Sequence, residues 1–119
     1  MKRRHGVLGG LLLVGTLGAY ADIAECEEPG AAPNVPDGAV AEEQLLAEAS
    51  GEVRNYVAET QDYLACLEAR EAALGEDITD EQRAEIVTTY NSAVESMQAV
   101  ADNFNEQVRR YRERLDNDN

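Results

Sequence analysis
The sequence predicts an all-α fold, an antiparallel αα-hairpin of coiled-coil type with a disulfide-stapled, extended N-terminal arm. Three observations predict it. Two long stretches carry apolar residues at helical spacing, a glycine and a helix-capping motif lie between them, and the two cysteines, Cys26 and Cys66, bracket a segment holding all three prolines.

The chain opens with the basic Met1-Lys2-Arg3-Arg4-His5. Val7 to Leu17 is apolar apart from glycines and one threonine, and Ala19-Tyr20-Ala21 has the small-x-small form of a signal-peptidase site. Residues 1–21 therefore read as a cleaved export signal, with no membrane anchor after cleavage. Counted from Gly6 to Tyr20 the apolar run is about 15 residues and broken by Gly9, Gly10, Gly15 and Gly18, against roughly 20 needed to span a bilayer. Arg3-Arg4 lacks the flanking residues of a twin-arginine signal, and Ile23-Ala24-Glu25 before Cys26 has no lipobox form.

Residues 22–39 hold Pro29, Pro33 and Pro36, which exclude regular helix and suit an extended, polyproline-like arm. From about Val40 to Leu74 the composition shifts to Ala, Glu, Leu and Gln. Leu46, Ala49, Val53, Tyr56, Val57, Thr60, Tyr63, Leu64, Leu67 and Leu74 form one face of a long helix. Gly75 ends it, glycine being common just past a helix C-terminus. Thr79-Asp80-Glu81-Gln82 is a capping box, in which the threonine hydroxyl and glutamine amide satisfy free backbone donors. It opens a second helix over about 80–115, where Val87, Tyr90, Val94, Met97, Ala101, Phe104, Val108, Tyr111 and Leu115 alternate steps of three and four. That is a coiled-coil seam. The short turn makes the helices antiparallel neighbours, giving a hairpin over 40–116 and a disordered tail at 117–119.

Lengths then relate the cysteines. Along a helix starting near Val40, Cys66 lies about 39 Å away at about 1.5 Å per residue. From Val40 back to Cys26, an arm at about 3.1 Å per residue reaches about 43 Å. An arm folded back antiparallel along helix one would thus join Cys26 to Cys66, closing a loop of about 40 residues. An intermolecular bridge and a redox or metal-binding thiol pair are the rival readings. A redox pair usually has CxxC spacing, and the only histidine, His5, leaves with the signal.

Beyond residue 21 the chain holds all 24 acidic residues, seven arginines and no lysine, a net charge of −17. This balance excludes nucleic acid, which needs basic clusters, and is repelled by anionic membranes. The one basic cluster, Arg109, Arg110, Arg112 and Arg114, suits a helix C-terminus. An enzyme is not expected, because nucleophile-and-base chemistry needs a histidine or a free thiol. No cofactor or metal is expected either. Calcium is the nearest cofactor chemistry, but Glu76, Asp77, Asp80 and Glu81 lack the spaced ligands and central glycine of a calcium loop, and Asp116-Asn117-Asp118-Asn119 begins such a loop and stops. Asn91, Gln98 and Asn105 recur at seven-residue steps beside the helix-two seam. This amide line has two readings: a clamp for the arm, whose backbone lacks internal hydrogen bonds, or a solvated stripe.

The order Cys26, Val35-Pro36-Asp37-Gly38, Tyr63-Leu64-Ala65-Cys66-Leu67, Tyr90-Asn91-Ser92-Ala93-Val94 and Phe104-Asn105 resembles a group of small exported helical proteins of Gram-negative bacteria without assigned activity. Over residues 26–111 the resemblance implies a periplasmic or secreted location and no catalytic residue. Ile78-Thr79-Asp80-Glu81-Gln82 is also similar to the Leu-Thr-x-x-Gln motif of small periplasmic chaperones related to Spy and to the Cpx inhibitor. Those proteins carry two copies and a basic cradle; this chain has one copy and is acidic. The expectation is an exported structural or protein-interaction module, self-paired into a four-helix bundle or bound to an envelope protein. The alternative is a stress-type chaperone for unfolded clients.

Overall fold
The computed structural model describes residues 25–119; the expected export signal and the first residues of the arm lie outside them. Two α-helices follow the arm, α1 (Glu43–Leu74) and α2 (Asp80–Asp118), joined by a 3-10 turn at Gly75–Asp77. They pack against each other as an antiparallel hairpin. No strand occurs among the described residues.

The arm is extended as far as Pro36 and then turns. The Asp37 carboxylate accepts from the Ala39 N–H at 2.9 Å, and the Asp37 carbonyl accepts from Val40 and Ala41 at 3.1 and 2.8 Å. Aspartate favours such turns because its short side chain reaches the backbone two residues on. This turn occupies the residues expected to begin the helix, so α1 starts at Glu43 rather than near Val40.

The α1 seam is a regular heptad. Leu46, Ala49, Val53, Tyr56, Thr60, Tyr63 and Leu67 are all buried, with Leu64 beside them. Thr60, the one buried polar residue of the core, donates its hydroxyl to the Tyr56 carbonyl at 2.8 Å. Gly75 closes the helix at φ 58°, donating its N–H to the Glu71 carbonyl. Any side chain there is strained.

At the start of α2 both halves of the capping box form: Gln82 N–H donates to Thr79 Oγ1 at 3.0 Å, and Thr79 N–H to Gln82 Oε1 at 2.9 Å. The helix then runs to Asp118, through residues expected to be a disordered tail. Its seam differs from expectation at the first step. Ile86, not Val87, is buried; Val87 is 46% exposed and Leu115 41%. Ile86 is the only fully buried residue of α2. The physical reason is coverage. α1 is covered by both α2 and the arm, whereas α2 packs chiefly on α1 and meets the arm at Gly38.

The arginine cluster also departs from expectation. No basic residue lies in the last turn of α2. Arg109 instead pairs with Glu106 and Glu113, Arg110 pairs with Glu106, and Arg114 donates to the Ala41 carbonyl at 2.8 Å with its guanidinium 4.9 Å from the Tyr111 ring.

Candidate interaction surface
Cys26 and Cys66 are joined by a disulfide, with their α-carbons 5.6 Å apart. The bridge is part of the core: Cys26 is buried with Tyr63, Leu64 and Leu67, and Cys66, Tyr90, Ala93, Val94 and Met97 pack against that cluster. Among the described residues no thiol is free.

From this anchor the arm runs antiparallel to α1. Gly30 N–H donates to Glu59 Oε1 at 3.1 Å. Residues 27–30 border Asp62 and Glu59; residues 30–34 border Asn55 and Glu52; Pro36 and Asp37 border Glu48 and Leu45. The α1 positions beneath the arm therefore follow 45, 48, 52, 55, 59, 62 and 66, one residue before each seam position. On α2 the arm side is marked by Gln107, whose Oε1 accepts from Gly38 N–H at 2.9 Å, and by Arg114. These two continue the seven-residue line Ile86, Ala93 and Val100.

Asn91, Gln98 and Asn105 are exposed, and the hydrogen bonds that hold the arm go to Glu59 and Gln107 instead. Asn91 shares a cavity of about 300 Å³ with Glu68, Glu71, Ile86, Val87 and Tyr90, on the side of the hairpin away from the arm. The amide line thus edges the opposite face. The clamp residue that sequence reasoning missed is Gln107, and its signal is a glutamine on a line that is apolar for three preceding heptads.

Two antiparallel helices make two grooves, and this chain treats them differently. One is occupied by the arm. The other is lined from α2 by Val87, Val94, Ala101, Val108 and Leu115, and from α1 by Val57 and Leu64, all but Leu64 at least partly exposed. Residues spaced by seven share a helix face, which is why each list forms a continuous line. The rim next to this open groove is Arg54, Gln61 and Glu68 on α1 and Asn91, Gln98, Asn105 and Arg112 on α2. Arg54 reaches Ser50 on the same flank at 2.9 Å.

Charge separates the two faces more sharply than hydropathy. The arm face carries Glu25, Glu27, Glu28, Asp37, Glu48, Glu52, Glu59 and Asp62 against Arg70, which pairs with Glu25 at 3.0 Å, and Arg114. The open face carries less: its seven-residue lines hold Arg54 and Arg112 with Glu43, Glu68, Glu71 and Asp80, and Arg83 pairs with Glu71 at 3.7 Å. A second cavity, of about 500 Å³, lies under the arm between Glu27, Glu28, Glu59 and Asp62 and beside Tyr63. Burial, reinforced by the Glu28 carboxylate, pushes the Tyr63 phenol above 10.0. Hydrogen bonds from Arg109 and Arg110 hold the exposed Glu106 carboxyl below 4.5.

Among the described residues no group of three or more His, Cys, Asp or Glu side chains has the geometry to hold a metal ion. No helix among them is long and apolar enough to cross a membrane. No protein-family model, curated protein or solved structure matches this chain.

Proposed function
We propose that this chain is an exported, non-enzymatic helical-hairpin module that works by protein–protein contact in the periplasm or outside the cell. The observation that carries this reading is the open groove: an apolar line four heptads long, edged by amides and a few charges of both signs, in a chain that is otherwise strongly acidic. Interface centres are depleted of charge relative to the rest of a protein surface, and this face has that composition. The buried disulfide supports the location, since such bridges persist in oxidising compartments. A photo-crosslinking residue at Gln98, in protein exported by its host, is expected to give discrete protein adducts, and one at Asn55 on the arm face is not. Absence of adducts from Gln98 would refute the reading.

The chaperone reading draws on the same groove, because the partly exposed Val94, Met97, Phe104 and Tyr111 are apolar groups an unfolded client would contact. The charge depletion favours a defined partner over varied clients. Light scattering of a denaturing client protein separates the two: a chaperone suppresses aggregation near stoichiometry, and an interaction module leaves it unchanged.

A further inference from the structure
We infer that the open groove is closed by a second copy of this chain, packed face to face and antiparallel about a two-fold axis, so that two hairpins form a four-helix bundle with an arm on each outer side. The inference rests on the interaction-module reading and names its partner. Three features of the groove argue for self-pairing.

The first is area. From Val87 to Leu115 the groove runs about 42 Å, and two helices side by side are about 20 Å wide, so each copy offers about 800 Å². That is the contribution per partner in a stable protein–protein interface of ordinary size. Single helices or extended peptides laid in the groove would cover less of it.

The second is net charge. A chain of net charge −17 beyond residue 21 repels its own copies over most of its surface. The open face carries much less net charge than the arm face, so two copies approach there with the smallest electrostatic penalty. A basic partner would instead be drawn to the arm face, where the carboxylates are.

The third is the group on the axis. The contacts of Tyr90 with Glu68 and of Arg114 with Ala41 fix the level of α2 against α1. A two-fold axis across the middle of the hairpin, in the plane of the interface, lays α2 on the α2 of the other copy.

Gln98 lies level with the middle, and a glutamine amide both donates and accepts, so it can meet its own symmetry mate. A charged residue there would meet a like charge.

Sedimentation equilibrium of the oxidised protein across the micromolar range is expected to give twice the chain mass. Gln98→Glu, which sets two carboxylates against each other, is expected to raise the dimer Kd about tenfold. Asn55→Asp on the arm face leaves it unchanged. Both substitutions are at exposed positions, and circular dichroism is expected to report unaltered helix content. Monomer mass throughout the range, or a dimer indifferent to Gln98→Glu, would overturn the inference. Adducts from Gln98 to a different envelope protein in a monomeric chain would also overturn it while leaving the interaction-module reading standing. No adducts of any kind would remove both.

Discussion
Gly38 donates its backbone N–H to Gln107 Oε1 at 2.9 Å, and a β-carbon built on Gly38 would run into the Gln107 carbonyl group. The obstructing group is backbone, so it cannot step aside by changing rotamer. The arm therefore meets α2 at a point where only glycine fits, and does so for reasons of space. Gly38→Ala is expected to lift the arm off α2 and cost about 1–3 kcal/mol. Urea denaturation checks the loss. Faster amide exchange at Gly30 and Gly38, with α1 and α2 still protected, would place it in the arm. Unchanged exchange there would refute the account.

The pairing of Gly38 with Gln107 also explains what was legible in the sequence and what was not. Both helices, the glycine stop and the capping box could be read because each is a local device: Gly75 and Thr79 act on their own backbone neighbours. The cysteine pair was legible because an extended arm and a helix have fixed rises. The flank of α2 that faces the arm was not. Ile86, Ala93 and Val100 form one line and Val87, Val94 and Ala101 another, and both are apolar. A shift of one residue exchanges them. The choice depends on where Gly38 docks, which is a tertiary fact. The amide line Asn91, Gln98 and Asn105 had the same ambiguity: its spacing was plain, but the side of the hairpin it edges was not.

The disulfide should be the largest single stabiliser of the arm. Cys26 and Cys66 are 40 residues apart in sequence, and in the chain-entropy model closing such a loop contributes about 3–4 kcal/mol. The bridge is also buried against Tyr63 and Leu67, so its loss opens core as well as loop. Replacing both cysteines by serine is expected to lower the urea midpoint by the corresponding amount and free residues 27–36 to exchange, while far-ultraviolet circular dichroism still reports two helices. An unchanged midpoint would mean that the arm is held by Glu59 and Gln107 alone.

At the other end of the hairpin, Thr79 and Gln82 satisfy two backbone donors of α2 that would otherwise have only water. Thr79→Ala is expected to cost about 1 kcal/mol, and Thr79→Ser to restore most of it, because the cap needs the hydroxyl and not the methyl. Thermal denaturation of the three proteins would show the ranking. A loss of similar size from Thr79→Ser would point to packing of the methyl group instead.

Tyr63 links the core to pH. Its ring is buried beside the disulfide, and that burial, aided by the Glu28 carboxylate on the arm, raises its phenol above 10.0. The folded protein thus holds this proton more tightly than the unfolded chain. The sign follows from linkage: stability is full below pH 10.0, the unfolded value, and falls as pH rises toward the higher folded value, because only the unfolded chain gains by ionising. Tyr63→Phe is expected to flatten this alkaline limb of the stability profile. Glu28→Gln is expected to lower the phenol pKa only in part, since burial is the larger cause. Absorbance titration of the tyrosines, repeated on the cysteine-to-serine protein, gives the decisive comparison. With the arm released, Tyr63 loses both its cover and the neighbouring carboxylate, so its titration should move down toward that of an exposed tyrosine; a titration that stays in place would show that α2, and not the arm, keeps it dry.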